Sequence, residues 1–374
     1  MIQIVEVNNT ERLRDFIRLP HQIYAKDRNW VAPLNFERQE FFNPKKNPFF
    51  KVGEMQLFLA LRDGKEAGRI SAQIHQGHLN QYKDSAGFFG FFESVEDPLV
   101  AVRLVEAAQG WLKEKGMKIM RGPFNFTMND EVGILIDGFD TPPSILMNHN
   151  LPYYASLMEV AGLKKAKDLY AYHYPIGNIS EAAVQLAEAT LQYPGLKLRT
   201  LNMKKYDEEI RVMIRIFNEA WAENWGFIPM TTAEIDHMAK QLKPIIDPQM
   251  AFFAFVGNDP AAMSISLPNV NAAIQDLHGR LFPFGWAKLL WRIKKGLPSL
   301  RKCLMGIRKP YRGSKVGALS VLMNVEAHRR ALKRGCYKTA ELSWTLEDNE
   351  RINKGIEFMG GRRYKTYRVY EKRL

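Results

Sequence analysis

Cysteine is nearly absent: Cys303 and Cys336 stand alone, with no CxxC or Cys/His spacing. That excludes a disulfide scaffold and a zinc finger or ribbon, and fits a reducing compartment. Long apolar runs are missing as well. The purest, AFFAFVG at 251–257, is far short of the ~20 residues that a bilayer-spanning helix needs. The opening MIQIVEVNNT has no basic segment followed by an apolar one, so no secretory signal is read and a cytoplasmic location is expected. The eight histidines lack ligand spacing, with only His75 and His78 close together, and no metal is expected. Acid is missing from one stretch: residues 277–325 hold no Asp or Glu but eleven Lys or Arg. The other 42 basic and 40 acidic residues nearly cancel, so the net charge of +13 originates in that stretch. It is expected to face something anionic.

What remains is the composition of a globular chain, 46% hydrophobic and 25% charged over 374 residues, long enough for two or three domains. Two segments share one order of elements. In the first, MQLFLALRDGKEAGRISAQI (55–74) predicts two strands about a turn at Asp63-Gly64, and GFFGFFES (87–94) a third. A helix from Pro98 follows, with Leu99, Val102, Val105, Ala108 and Leu112 on one face and cations before Gly116. MKIMRG, a helix over 151–161 and KAKDLYAYHY complete the unit. The second half repeats the order with MAFFAFVGNDPAAMSISLP (250–268), CLMGIRK (303–309), a helix over 316–334, KTAELSW (338–344), a helix over 349–359 and GRRYKTYRVY. ISEAAVQLAEATLQYPG (179–195) predicts a linking helix. The expected division is 1–175, a linker at 176–196, and 197–374.

The turn KPYRGSKVGAL and the segment EDNERINKGIEFMGG make the order specific. Together they resemble the GNAT acyltransferase superfamily, and the whole chain resembles a tandem member of it. The resemblance implies an α/β fold of two GNAT-like units, each a mixed, mostly antiparallel sheet flanked by helices. It implies acyl-CoA or acetyl-CoA as co-substrate and transfer of an acetyl or longer acyl group to an amine of a small molecule or peptide. Arg312, Lys315 and Gly317 align with the family's acyl-CoA loop, and Asn349 with its later asparagine. The chemistry is intelligible: backbone N–H groups at a helix start suit a pyrophosphate, glycines admit it closely, and cations pair with it. The implied donor site comprises Arg308, Lys309, Arg312, Gly313, Ser314, Lys315, Val316, Gly317, Ala318 and Asn349. Lys315 departs from the family, which usually has glycine there. The equivalent turn of the first half, ESVEDPLVA, has no glycine or arginine. Its Glu93, Glu96 and Asp97 read as helix-capping acids that repel phosphate, so that half is not expected to bind CoA.

Such chemistry needs a base for the amine and often an acid for the thiolate. The family's frequent tyrosine acid is Ile356 here, and the third strand of the second half carries no carboxylate. Glu341 and Glu223 are the base candidates, with Tyr364, Tyr367 and Tyr370 as alternatives for the acid. The missing groups also support a different class, an inactive scaffold that binds a ligand or protein. Finally, the insert at 277–302 contains WAKLLWRIKKGL, a predicted amphipathic helix with Trp286, Leu289, Leu290 and Ile293 opposed to lysines and arginines. It suits an anionic membrane surface, an acidic acyl carrier protein, or packing against the protein. No nucleic-acid motif accompanies the charge. The insert is expected to border the acyl-donor site, and Asn125, Asn129, Asn148 and Asn150 of the long 121–154 segment are candidates for binding a polar substrate.

Overall fold

The computed structural model describes residues 1–313 and 316–374. The chain forms two compact units: residues 1–169, 274–286 and 365–374 make the first, and residues 170–273 and 287–364 the second.

In the first unit, β1 (Ile2–Glu6) leads to α1 (Thr10–Ile23), which starts where Asn9 Oδ1 accepts from the Arg12 N–H at 2.9 Å. After α2 (Asn35–Phe41), β2 (Gly53–Arg62) and β3 (Lys65–His75) form a hairpin. Its two turn residues, Asp63 and Gly64, have φ of 51° and 81°, as the twist-matched two-residue turn requires. Next come α3 (Gln76–Tyr82), β4 (Ala86–Ser94), and α4 (Pro98–Glu114), whose N-cap is Asp97. β5 (Ile119–Gly122), the small hairpin β6 (Phe124–Asn125) and β7 (Glu131–Val132), β8 (Ile134–Asp137), α5 (Tyr154–Val160) and β9 (Lys164–Pro175) follow. The strands run β1-β2-β3-β4-β5, all antiparallel except β4 against β5, and Tyr370–Arg373 add on antiparallel beyond β5. Val100, Leu104, Val105, Ala108 and Leu112, at helical spacing on α4, pack with Ile70, Ala72 and Phe89 to make the core.

The second unit starts with the C-terminal half of β9, then α6 (Glu181–Leu191), β10 (Leu196–Thr200), α7 (Tyr206–Trp221) and α8 (Thr232–Leu242). β11 (Ala251–Val256) and β12 (Asp259–Pro268) form its hairpin, and α9 (Asn271–Ile274) and α10 (Gly285–Lys295) precede β13 (Ser299–Ile307). α11 (Leu319–Arg334), β14 (Thr339–Leu346), α12 (Glu350–Phe358) and β15 (Arg362–Arg373) end the chain. The order is β10-β11-β12-β13-β14, with only β13 against β14 parallel. Leu319, Leu322, Met323, Ala327 and Ala331 of α11 cover Phe252, Ala262 and Leu300. Each unit is thus a mixed, mostly antiparallel α/β sheet, as expected. Residues 365–374, read above with the second half, are compact with the first.

Candidate active site

The two parallel strands of the second unit do not stay together. β13 pairs with β14 only where Ser299–Lys302 meet Thr339–Leu342, yet β13 continues to Ile307. Between them a fork opens from residue 303 onward. Gly306 lets α7 close over this part of β13, since a Cβ there would lie 2.4 Å from the Trp221 ring.

The turn after β13 carries the predicted donor-binding residues. Arg308 is buried and already engaged: its Nε donates to Glu219 at 2.6 Å, and its Nη1 donates to Asp259 and to the Pro260 carbonyl, each at 2.7 Å. Two carboxylates neutralise it, so it props the turn rather than offering free charge. Lys309 donates to Glu223 at 2.8 Å, and Arg312 donates to the carbonyls of Ile307 and Ala220 at 2.9 and 2.7 Å. Gly313 and Gly317 are exposed with φ of 76° and 63°, a left-handed backbone that glycine adopts freely. Val316 is buried, anchoring the turn, and the Ala318 N–H donates to Thr190 Oγ1 at 3.0 Å. Ser314 and Lys315 lie outside the described residues. Among the described residues Ala318 itself offers no side-chain cap to α11, and with its own N–H taken by Thr190 the N–H groups that follow form the positive end of a 16-residue helix, which suits an anion.

Glu341 lies at the closed end of the fork, in register with Arg301. It is buried, accepts hydrogen bonds from the hydroxyls of Ser343 and Tyr364, and has the Arg301 guanidinium at 3.7 Å. Arg301 Nε also donates to Ser343 Oγ at 2.9 Å. Glu223 contrasts with it. It is 68% exposed, and the Lys309 hydrogen bond holds its carboxyl below the usual range. Asn349 starts α12 by accepting from the Ile352 N–H at 3.4 Å, so its side chain serves a helix end.

Sequence reasoning missed Lys302. Its ammonium donates to Asn324 at 2.6 Å beside an apolar cavity of about 30 Å³ lined by Leu300, Leu342 and Met359, and burial brings its pKa down to about 7. In the same lining, the Tyr174 hydroxyl meets His328 Nδ1 at 2.7 Å, and His328 Nε2 meets the Gly177 carbonyl at 2.9 Å. Since a carbonyl only accepts, Nε2 carries the proton and Nδ1 accepts from Tyr174. Burial depresses the His328 pKa and raises that of Tyr174 to about 12. A lysine on a strand gives no sign in sequence of which face it takes.

The first unit also has a fork, with β4 paired to β5 only over Ala86–Phe88. Its own chain fills the gap. Phe91 N–H donates to Asn125 at 2.7 Å, and Gln73 donates to the carbonyls of Phe124 and Phe126 at 2.6 and 3.0 Å. Asp97 caps α4 as expected, but Glu93 does not act as a cap. It accepts from Tyr24 and Tyr154 at 2.6 and 2.7 Å with Arg69 at 3.6 Å, and burial raises its pKa. The asparagines proposed for substrate brace this region instead: Asn125 donates to Glu131, Asn148 to the Gly133 carbonyl, and Asn150 accepts from the Leu135 N–H. At Asn129, it is the backbone N–H that is held, by Thr127.

The insert, expected to border the acyl-donor site, joins β13 at the end away from the turn at 308–318. It leads into the start of β13, whereas the turn follows its end, nine residues or ~30 Å away. Gly296 abuts Cys336, beyond the far end of α11 from the turn. Cys303, at the fork, has its thiol pKa raised by burial.

No family model matches this sequence. The chain is 43% identical over 382 residues to the bacterial ceramide synthase of Caulobacter vibrioides, covering 100% of this chain and 98% of that protein. It is 39% identical over 369 residues to Protein YghO of Escherichia coli, covering 98% and 94% of the two. In fold it is similar to a tandem GNAT protein from the clavulanic acid biosynthesis pathway, with a TM-score of 0.59, 11% identity and coverage of 100% and 98%. A GCN5-related N-acetyltransferase from Sphaerobacter thermophilus aligns with a TM-score of 0.53, 12% identity and coverage of 100% and 95%. With the forked sheet and its basic turn in place, the chain has the fold of tandem GNAT proteins, and it belongs to the family that includes the C. vibrioides ceramide synthase and E. coli YghO.

Proposed function

We propose that the second unit binds acyl-CoA and transfers its acyl group to the amine of a long-chain amino alcohol. The observation that carries the donor assignment is the fork, which opens beside a basic, glycine-bearing turn at the start of α11. The residues fit a pyrophosphate: backbone N–H groups at the start of α11, Gly313 and Gly317 admitting it, and Lys309 and Arg312 at its side. Ser314 and Lys315 belong to the same turn by sequence. The first unit's fork is filled by residues 124–126, and the arginines beside its turn, Arg62 and Arg69, are paired with Asp97 and Glu93. The acceptor class follows from the ceramide synthase relative, because a ceramide is an N-acylated long-chain amino alcohol.

In the reaction, the amine nitrogen attacks the thioester carbonyl, a C–N bond forms and the C–S bond breaks. The amine loses a proton and the departing thiolate gains one, so charge balances. Glu341 and Tyr364 are the pair proposed for this transfer. The Tyr364 oxygen takes the amine proton while its own moves to Glu341, and the reverse movement supplies the thiolate. Glu223, exposed and ion-paired, holds Lys309 in the turn.

Calorimetry with CoA tests the donor site. Arg312→Ala and Gly317→Val weaken binding at least tenfold, whereas Glu96→Ala in the first unit leaves it unchanged; unchanged affinity in both of the first two variants removes the assignment. Incubation with a long-chain acyl-CoA and a long-chain amino alcohol, with amide formation read by mass spectrometry, tests the acceptor. CoA binding without amide formation from any amine would favour the scaffold reading.

A further inference from the structure

Five large apolar side chains stand exposed within ten residues: Phe282 at 83%, Phe284 at 78%, Trp286 at 48%, Leu290 at 59% and Trp291 at 60%. No residue of α10 is buried; Leu289, Arg292 and Ile293 are the half-buried side of the helix, and Arg292 donates to the Ala273 carbonyl at 2.6 Å. At 100° per residue, the opposite side presents Leu290, Trp291, Lys294 and Lys295, with the Lys295 ammonium 5.1 Å from the Trp291 ring centre. Arg280 and Lys288 are exposed as well. Of the alternatives read from the sequence, packing of Trp286 and Leu290 against the protein is therefore not what the structure shows. They share the outer surface with the lysines.

We propose that the segment 280–295 docks this protein on an anionic lipid membrane, with Phe282, Phe284, Leu290 and Trp291 entering the boundary between headgroups and acyl chains. Two observations select lipid over an acidic carrier protein. Five large apolar side chains are solvent-exposed in one short run, which suits entry into a fluid hydrocarbon boundary. Lys294 and Lys295 flank Leu290 and Trp291 on one side of α10, where they meet lipid phosphates as those side chains insert. Charge complementarity is strong because 277–325 contains no acidic residue. Docking is measured without donor or acceptor, so it stands or falls apart from the acyl-transfer reading.

The test is co-sedimentation of the full chain with phosphatidylcholine vesicles, with and without 30 mol% phosphatidylglycerol. We expect binding to the anionic vesicles. K294Q/K295Q weakens it about 25-fold, at about fivefold for each basic residue, and F282S/F284S/W291S weakens it at least tenfold. Both variants change only exposed positions and keep the wild-type circular dichroism and thermal midpoint. Fluorescence of the wild type is quenched by lipids brominated in the acyl chain, which reports insertion rather than surface attraction alone. No binding to anionic vesicles overturns the proposal, as does binding that both variants retain. Capture of purified acyl carrier protein through these residues without vesicle binding overturns it in favour of a protein partner.

Discussion

Replacing Lys302 by methionine should make this protein more stable, and by an amount that depends on pH in a defined direction. The Lys302 pKa falls from 10.5 to about 7 because burial penalises its charged form. That depression corresponds to about 5 kcal/mol of destabilisation when the unfolded chain carries the proton and the folded one must charge or lose it. The sign follows from proton counts. Between the two pKa values the unfolded state binds more protons, so stability rises with pH, and the cost is fully present only below the folded value. It is about 5 kcal/mol at pH 6.5 and about 3 kcal/mol at pH 8.5. Methionine matches the stem but leaves Asn324 without the 2.6 Å bond, a loss of about 1–3 kcal/mol. Net stabilisation of ~2–3 kcal/mol at pH 6.5, shrinking by about 2 kcal/mol at pH 8.5, is therefore expected. Urea unfolding of both proteins at the two pH values measures it. A variant less stable than wild type at pH 6.5, or a difference that does not change with pH, would refute the reasoning.

Further outcomes concern the forks, the caps and the donor turn. Glu93→Leu leaves Arg69 buried without its carboxylate and the Tyr24 and Tyr154 hydroxyls without their acceptor and should cost about 3–5 kcal/mol, read from the urea midpoint; a loss below ~1 kcal/mol would refute this reading. Gly90→Ala sets a Cβ 2.0 Å from the Phe124 carbonyl oxygen, so the plug at 124–126 must shift, and limited proteolysis should find new cleavage there. Asn349→Ala removes the cap of α12 and should lower stability by about 0.5–1 kcal/mol without changing CoA affinity. If CoA binds at the turn as proposed, its affinity should fall with added salt, since exposed charges are screened within about 10 Å at 0.1 M; a salt-independent constant in calorimetry would point to apolar contacts.

The repeated order of strands and helices was legible because local patterns carry it. The Asp63-Gly64 turn requires left-handed backbone at both residues, Asp97 and Pro98 start α4, and α11 shows its buried face at 3.6-residue spacing. The glycines and cations of the turn proposed for the donor were legible for a similar reason: backbone conformation and charge belong to one short segment. Partners distant in sequence were not legible. Arg308 belongs to the same basic run as Lys309, but Glu219 and Asp259, brought in by α7 and β12, neutralise it. Glu93 looks like Asp97 in sequence, and only the approach of Tyr24, Arg69 and Tyr154 makes one a buried carboxylate and the other a cap. Lys302 differs from its neighbour Arg301 only in the side of β13 it takes: one meets Asn324 and an apolar cavity, the other Glu341 and Ser343. Sequence by itself determined the elements, their order and the chemistry of the turn, because these depend on neighbours a few residues away. Which charges are free, which are cancelled and which face of α10 meets solvent was decided by tertiary packing, because desolvation and ion pairing depend on what the fold brings within a few ångströms.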